Sequence, residues 1–316
     1  MSVVRTLTPN PALDLSARTA KVVPTHKLRC SDLQRHAGGG GINVARMLGR
    51  LGIDVQAHYL AGGVAGVQLA ELLAQEGVCA HLQPISGETR ENLSILDEAS
   101  EQEFRFVMPG PLLTQQEWQA CLTTMANLHP APQWLVASGS LPPGAPDDFY
   151  ARLARQAQIA GVALALDTSG AALAHALDVG VALVKPSLGE LRSLTSLPLT
   201  EHHEAIAAAM ALVQRGAAQM VALSLGAQGA VLATPNGAWQ APAVPVTTAQ
   251  GTTGAGDCFL GALLAALVQE KAPPEALRWG MAAGAASLLA SGTALASAAD
   301  VHKLLDQVQV SPVAAA

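Results

Sequence analysis

Charge is scarce in this chain. Only 13% of its 316 residues are charged against 50% hydrophobic, and 24 acidic and 18 basic side chains leave a formal net charge of −6. No run of Lys and Arg could track a nucleic-acid backbone, so neither nucleic acid nor an anionic membrane is an expected partner. Any phosphate has to be caught by a few placed cations. The apolar excess is not gathered into a spanning segment: stretches such as Met281 to Leu289 are alanine-rich, too short to cross a bilayer, and read as buried helix. Met1 to Leu7 lack a charged leader with a long apolar region and read as a first β-strand, so the expected location is cytoplasmic. The four cysteines, Cys30, Cys79, Cys121 and Cys258, form no C-x-x-C pair, which favours free thiols over disulfides or zinc. Nine histidines make no H-E-x-x-H, and His202-His203-Glu204 reads as a solvated helix start. A G-x-x-x-x-G-K-S/T loop is also absent, so a nucleotide site here is not of the P-loop kind. There are no repeats and no low-complexity linker, and Pro312 to Ala316 reads as a frayed tail.

What is present is an alternation. Val3 to Leu7, Val55 to Leu60, Trp134 to Ser138, Ala163 to Asp167, Ala182 to Lys185 and Met220 to Leu225 are short apolar runs that read as buried strands, with helical spacing between most of them. The pattern predicts an α/β fold of one domain over residues 1–316: a doubly wound, mostly parallel sheet flanked by helices. In such sheets the ligand sits beyond the carboxyl ends of the strands. Distinctive polar residues fall there: Gly139 and Ser140, Asp167 to Ser169, Lys185 to Glu190, Ser224 to Gly229. Two regions, about 12–36 and 88–108, are more polar and alternating (Lys27-Leu28-Arg29-Cys30, Asn92 to Leu96, Glu103 to Val107) and read as strands of a small β-sheet lid. Neither is long enough for a core of its own.

Two segments carry chemistry. Thr252-Thr253-Gly254-Ala255-Gly256-Asp257 reads as a glycine turn opening a helix, with a carboxylate in the first turn and the small apolar run Cys258 to Leu264 behind it. Such a helix start is an anion hole beside a general base. It also suits an ordinary capped helix with Thr252 or Thr253 as N-cap. Gly38 to Gly41 lead into a helix predicted over Asn43 to Leu51, and four glycines let backbone approach a ligand closely. A dinucleotide fingerprint fails here, because Asn43 stands where the third glycine belongs and no buried strand precedes the run.

Taken in order, these segments resemble the ribokinase-like sugar kinases, in particular their phosphofructokinase B branch. The matching residues run nearly end to end: Thr8 to Asp14, Lys27 to Arg29, Gly41-Ile42-Asn43-Val44-Ala45-Arg46, Thr89 to Asn92, Phe104 to Gly110, Ser138 to Gly144, Lys185-Pro186, Ser224 to Ala230 and the Gly-Ala-Gly-Asp turn. Lys27 to Cys30 and Phe104 to Gly110 look most like the bacterial type 2 6-phosphofructokinases. The resemblance implies ATP-dependent phosphorylation of a phosphosugar, with fructose 6-phosphate to fructose 1,6-bisphosphate as first choice. Tagatose 6-phosphate and fructose 1-phosphate are the nearest rival substrates, and a non-catalytic nucleotide or sugar-phosphate sensor is the rival of another class. It implies Asp257 as base and Gly254, Ala255 and Gly256 as donors to the transferring group. Asp14, Gly39, Asn43 and Ser140 would meet the sugar, and Lys27 and Arg90, aided by Arg29 and Arg105, its phosphate. Lys185, Ser187, Ser224, Gly226 and Gly229 would meet ATP, and Glu190 would act through water on Mg²⁺. A homodimer through the β lid is implied as well. Two positions depart from the family: Ser187 replaces an Asn, which puts metal or nucleotide affinity in question, and Gly251 replaces an Asp of a monovalent-cation loop, which leaves dependence on K⁺ open.

Overall fold

The computed structural model describes residues 3–246, 254–290 and 294–313. Its main sheet is built outward from β1 (Val4–Thr8). On one side lie β4 (Val55–Ala61) and β5 (Ala80–Pro84). On the other lie β8 (Trp134–Ser138), β9 (Ala163–Asp167), β10 (Val181–Val184) and β11 (Ala218–Ser224), all seven strands parallel. Beyond β11 the sheet continues antiparallel through β12 (Ala230–Thr234), β13 (Gly237–Ala241) and the short β14 (Ser311–Pro312). A separate four-stranded sheet has the order β3 (Cys30–Gly38), β2 (Ala12–Thr19), β6 (Arg90–Asp97), β7 (Gln102–Phe106). In it β2 and β6 run parallel and the outer pairs antiparallel.

Side chains alternate across the main sheet, as period-two strands covered on both faces require. Leu135, Ala137, Leu164 and Leu166 face one layer, formed by α3 (Gln115–Ala126), α4 (Phe149–Ala160), α5 (Gly170–Val179), α6 (Leu188–Thr195) and α7 (His202–Gln214). Trp134, Val136, Ala165 and Leu183 face the other, formed by α1 (Gly40–Arg50), α8 (Ala255–Val268), α9 (Pro273–Ser287) and α10 (Ala298–Leu305). The remaining helix, α2 (Gly63–Gln75), buries Leu69 and Leu73 beside Ala37, Ile42 and Tyr59 where the small sheet joins the body.

Six of the seven parallel strands fall within one or two residues of the apolar runs. The additions β5, β12, β13 and β14 do not announce themselves: β5 is a mostly exposed edge, and β12 and β13 are five-residue arms of a tight hairpin. Lys27-Leu28-Arg29 is not strand, because β2 ends at Thr19, whose register partner is Cys30, and residues 27–29 have nothing to pair with. The first helix begins at Gly40, three residues before its expected start. Cys30, Cys79, Cys121 and Cys258 are free thiols. Among the described residues no helix is long and apolar enough to cross a membrane. The Thr252 and Thr253 caps, Gly251 and the end of the Pro312 to Ala316 tail lie outside the described residues.

Candidate active site

The chain leaves β1 in two directions, outward through β4 and β5 and back through β8 to β11, so the strand order reverses between β1 and β8. The crevice at the carboxyl ends of such a reversal is where doubly wound sheets hold ligands. The start of α1 lies directly over it, and this is what the glycine run serves. A Cβ on Gly40 would collide with Ser138 Oγ at the end of β8, one on Gly41 with the Leu7 carbonyl of β1, and one on Gly38 with the Asp14 carboxylate. Gly39, at φ +117°, makes the turn from β3 into the helix. A Cβ on Gly39 would meet Thr8 Cγ2, so all four glycines are accounted for by protein packing without approach to a ligand. Their consequence is that Asn43, in the first turn of α1, reaches into the crevice.

There it meets Asp257. Gly254, in the left-handed region at φ +77°, is the N-cap of α8, which makes Asp257 the third helical residue. The first helical bond runs from the Cys258 amide to the Gly254 carbonyl (2.8 Å), so the amides of Ala255, Gly256 and Asp257 have no acceptor within the helix. The helix behind them is buried from Cys258 to Ala266, so its positive end is held rigidly. Asn43 Nδ2 donates to Asp257 Oδ2 at 2.9 Å. Burial and the neighbouring Asp167 push the Asp257 carboxyl up to about 7, against the opposing pull of Asn43 and Lys185.

Lys185, buried at the end of β10, is 3.1 Å from Asp167 Oδ1 at the end of β9. Burial presses its ammonium down, but Asp167, Asp257 and Glu190 outweigh it and hold its pKa above the ordinary value. Burial raises the Asp167 carboxyl, with Lys185 opposing. One cation is shared by two carboxylates, both made reluctant to ionise, beside a helix N-terminus whose bare amides favour an anion.

The small sheet supplies a second cluster. Asp14, on β2, accepts from Asn92 Nδ2 at 2.9 Å, and burial raises its carboxyl while Asn92, Arg90, Arg105 and Arg46 draw it back. The Arg90 guanidinium donates to the carbonyls of Asn10 (2.9 Å), Pro11 (3.4 Å) and Met108 (3.1 Å), three bonds from five N–H groups. Ser140 Oγ accepts from Asn10 Nδ2 at 3.2 Å. Lys27 and Arg29 stay exposed on the loop before β3, away from this cluster.

On the far side of Lys185, Ser187 caps α6. Its Oγ accepts from the Glu190 amide (3.2 Å), and Glu190 Oε2 accepts from the Ser187 amide (2.7 Å). Ser serves this cap as well as Asn does, so the substitution leaves the helix start and Glu190 in place. Ser224 bridges to Ser187 and donates from its amide to the Pro186 carbonyl (3.0 Å). Gly226, at φ +60°, has open space where a side chain would be, whereas Gly229 is closed off by the Ala241 carbonyl and Pro242. Asp167, Asn10, Asn92 and Arg46 belong to the site but were given no role from the sequence. Asp167 alone left a signal, an acid at a strand's carboxyl end.

A model of the pfkB family carbohydrate kinases matches residues 10–300. The ATP-dependent 6-phosphofructokinase isozyme 2 of Mycobacterium tuberculosis is 40% identical over 301 residues, 95% of this chain and 88% of that one. A 1-phosphofructokinase of Xanthomonas campestris is 39% identical over 271 residues, 84% of each. Crystal structures of phosphofructokinase-2 from Escherichia coli, with potassium and with fructose-6-phosphate, superpose with TM-scores of 0.92 and 0.91 at 38% and 37% identity, each covering 97% of this chain and 99% of that one.

Proposed function

The chain belongs to the pfkB family of carbohydrate kinases, and from that membership we propose that it transfers the γ-phosphoryl group of ATP to fructose 6-phosphate, giving fructose 1,6-bisphosphate. The observation that carries the mechanism is the raised Asp257 carboxyl, anchored through one oxygen by Asn43 at the open N-terminus of α8. Its other oxygen is the base for the primary hydroxyl. A carboxylate poised near neutral pH accepts a proton in the transition state and adds about 10²- to 10⁴-fold. The amides of the turn at Gly254, Ala255 and Gly256 receive the transferring group, with Lys185 beside them; positioning and charge stabilisation do most of the work in phosphoryl transfer.

Sugar hydroxyls would meet Asp14, Gly39, Asn43 and Ser140, and ATP would meet Lys185, Ser187, Ser224, Gly226 and Gly229. Among the described residues no group of three or more His, Cys, Asp or Glu could cage a metal. Mg²⁺ would arrive on the nucleotide, since this ion keeps its waters and uses one or two carboxylates with the phosphates. Glu190, acting through water, would hold it, and the bound ion neutralises phosphate charge. Potassium is proposed as a second ion on the likeness to the potassium-bound relative, and omitting it from the assay reads its contribution.

The substrate phosphate would be held by Lys27 and Arg90, aided by Arg29 and Arg105, with Lys27 and Arg29 reaching it from the exposed loop before β3. Their surroundings separate the two variants. Lys27→Ala is expected to raise the KM for the sugar phosphate by about 10-fold or more, as loss of a charge-assisted bond does, with the melting temperature unchanged. Arg90→Ala is expected to raise KM and also to lower stability, because three carbonyls lose their donor. An unchanged KM in both would remove the phosphate clamp. The small sheet leaves Leu33 and Phe106 each 50% exposed and Val107 62% exposed, an apolar face suited to the proposed homodimer. Sedimentation of a monomer at working concentration would contradict that.

The test of the reaction is ADP release from Mg-ATP with fructose 6-phosphate, tagatose 6-phosphate, fructose 1-phosphate and free fructose, ranked by kcat/KM. Preference for fructose 6-phosphate is the expected result. Preference for fructose 1-phosphate would move the assignment towards the 1-phosphofructokinase relative, and no turnover by folded protein would favour a sensor.

A further inference from the structure

The motif Gly41-Ile42-Asn43-Val44-Ala45-Arg46 ends on an arginine that the proposed chemistry leaves without a task. Arg46 is buried, its side chain 2% exposed, and each of its three nitrogens donates a hydrogen bond. Nε donates to Glu76 Oε2 at 2.8 Å and Nη2 to Glu76 Oε1 at 2.7 Å, a two-pronged fork. Nη1 donates to the Ala37 carbonyl at 3.0 Å and to Asn43 Oδ1 at 3.3 Å. Asn43 in turn presents Nδ2 to Asp257.

We propose that Arg46, braced by Glu76, is a positioning residue that locks the Asn43 amide in the one orientation that donates to Asp257, leaving the second Asp257 oxygen for the substrate hydroxyl. The proposal rests on Asp257 being the base. A guanidinium has donors only, so it accepts the carbonyl end of the amide and refuses the NH₂ end. With the amide reversed, Nδ2 would face the guanidinium and Oδ1 the Asp257 carboxylate, two repulsive contacts in place of two hydrogen bonds. Glu76 supports this reading by where it stands. It is the C-cap residue of α2, the helix end where the dipole disfavours an acid. Its position is explained by what it holds, Arg46 through two bonds and Arg50 at 3.6 Å. The relay therefore runs from α2 through α1 to the first turn of α8, and Ala37 adds the end of the small sheet to it.

Asp257 is faced by Asn43 from α1, Asp167 and Lys185 from the ends of β9 and β10, and Asp14 from β2, with Cys258 next in its own helix. Arg46 is faced by Glu76, Arg50, His36 and Asp14. Burial and Arg46 hold His36 below its ordinary value.

The test is the pH dependence of kcat/KM in wild type, Arg46→Met, Arg46→Lys, Glu76→Gln and the Arg46→Met/Glu76→Gln double variant, with melting temperatures alongside. The Asn43 bond lowers the Asp257 pKa, so freeing the amide is expected to move the acid limb upward by about one unit and to lower kcat about 10-fold or more. Arg46→Lys keeps the charge but not the fork and should show the same shift. The double variant should shift no further than Arg46→Met, because Glu76 acts through Arg46. A limb unmoved in folded variants, or moved in Arg46→Met and not in Arg46→Lys, would overturn the relay. If Arg46→Met does not fold, Glu76→Gln reads the same limb from a carboxylate 30% exposed. Failure of the base itself looks different: wild type would be active without a limb, or Asp257→Asn would keep it.

Discussion

Asp257→Asn is expected to lower turnover by about 10²-fold or more, with little change in the KM for the sugar phosphate. The substitution keeps the shape and the position at the third residue of α8 but cannot take a proton. The stability readout should move in the opposite direction. The folded pKa of about 7 lies above the ordinary carboxyl value of 3.8, so ionising this group opposes folding, not at all below about pH 4 and fully above about pH 7. The variant should therefore unfold at higher temperature than wild type at pH 8, and the gain should fade as pH falls through 7. Near-normal turnover would remove Asp257 as the base. A melting temperature lowered at pH 8 would mean that its carboxylate is held favourably, against the electrostatics described above.

The second large effect is expected at Lys185. Its ammonium is the one cation within salt-bridge reach of Asp167 among the described residues, and it also offsets Asp257 and Glu190. Lys185→Met leaves buried carboxylates without their partner, which costs about 3–5 kcal/mol in comparable cases. Without Lys185 both aspartates titrate at still higher pH, so protonation relieves the deficit. It should be larger at pH 8 than at pH 5, when measured by urea unfolding, which does not screen charge. Turnover should also fall by about 10²-fold, since the transferring group loses a cation. A deficit below about 1 kcal/mol, equal at both pH values, would place the pair in the class of solvent-screened bridges.

The parts of this molecule that were legible in the sequence are those that a local pattern encodes. Six buried parallel strands are continuous apolar runs, and the Gly254 to Asp257 turn combines a left-handed glycine, bare amides and an acid within four residues. Gly38 to Gly41 were visible as a run, but their reason was not, because the atoms that would collide with them come from Leu7, Thr8, Asp14 and Ser138. The same holds for charge. Lys185 and Asp167 are separated by a helix and meet only because β9 and β10 are neighbours. Arg90 reads as a phosphate ligand in sequence, yet in the fold it also binds the carbonyls of Asn10, Pro11 and Met108. Arg46 and Glu76 lie 30 positions apart, and no spacing rule connects a residue inside one helix to the cap of the next. The small sheet was recognisable from polar alternation, but the parallel pairing of β2 with β6 is a long-range choice that alternation does not specify.

The most direct test of the central claim, that a carboxylate tuned to near neutrality drives phosphoryl transfer, is the pH profile of kcat/KM for fructose 6-phosphate in the wild-type protein. The account predicts a single acid limb with a midpoint at about 7, rising to a plateau above it and absent from the residual activity of Asp257→Asn. A profile flat across roughly pH 5.5 to 8, or a limb that survives in Asp257→Asn, would contradict it.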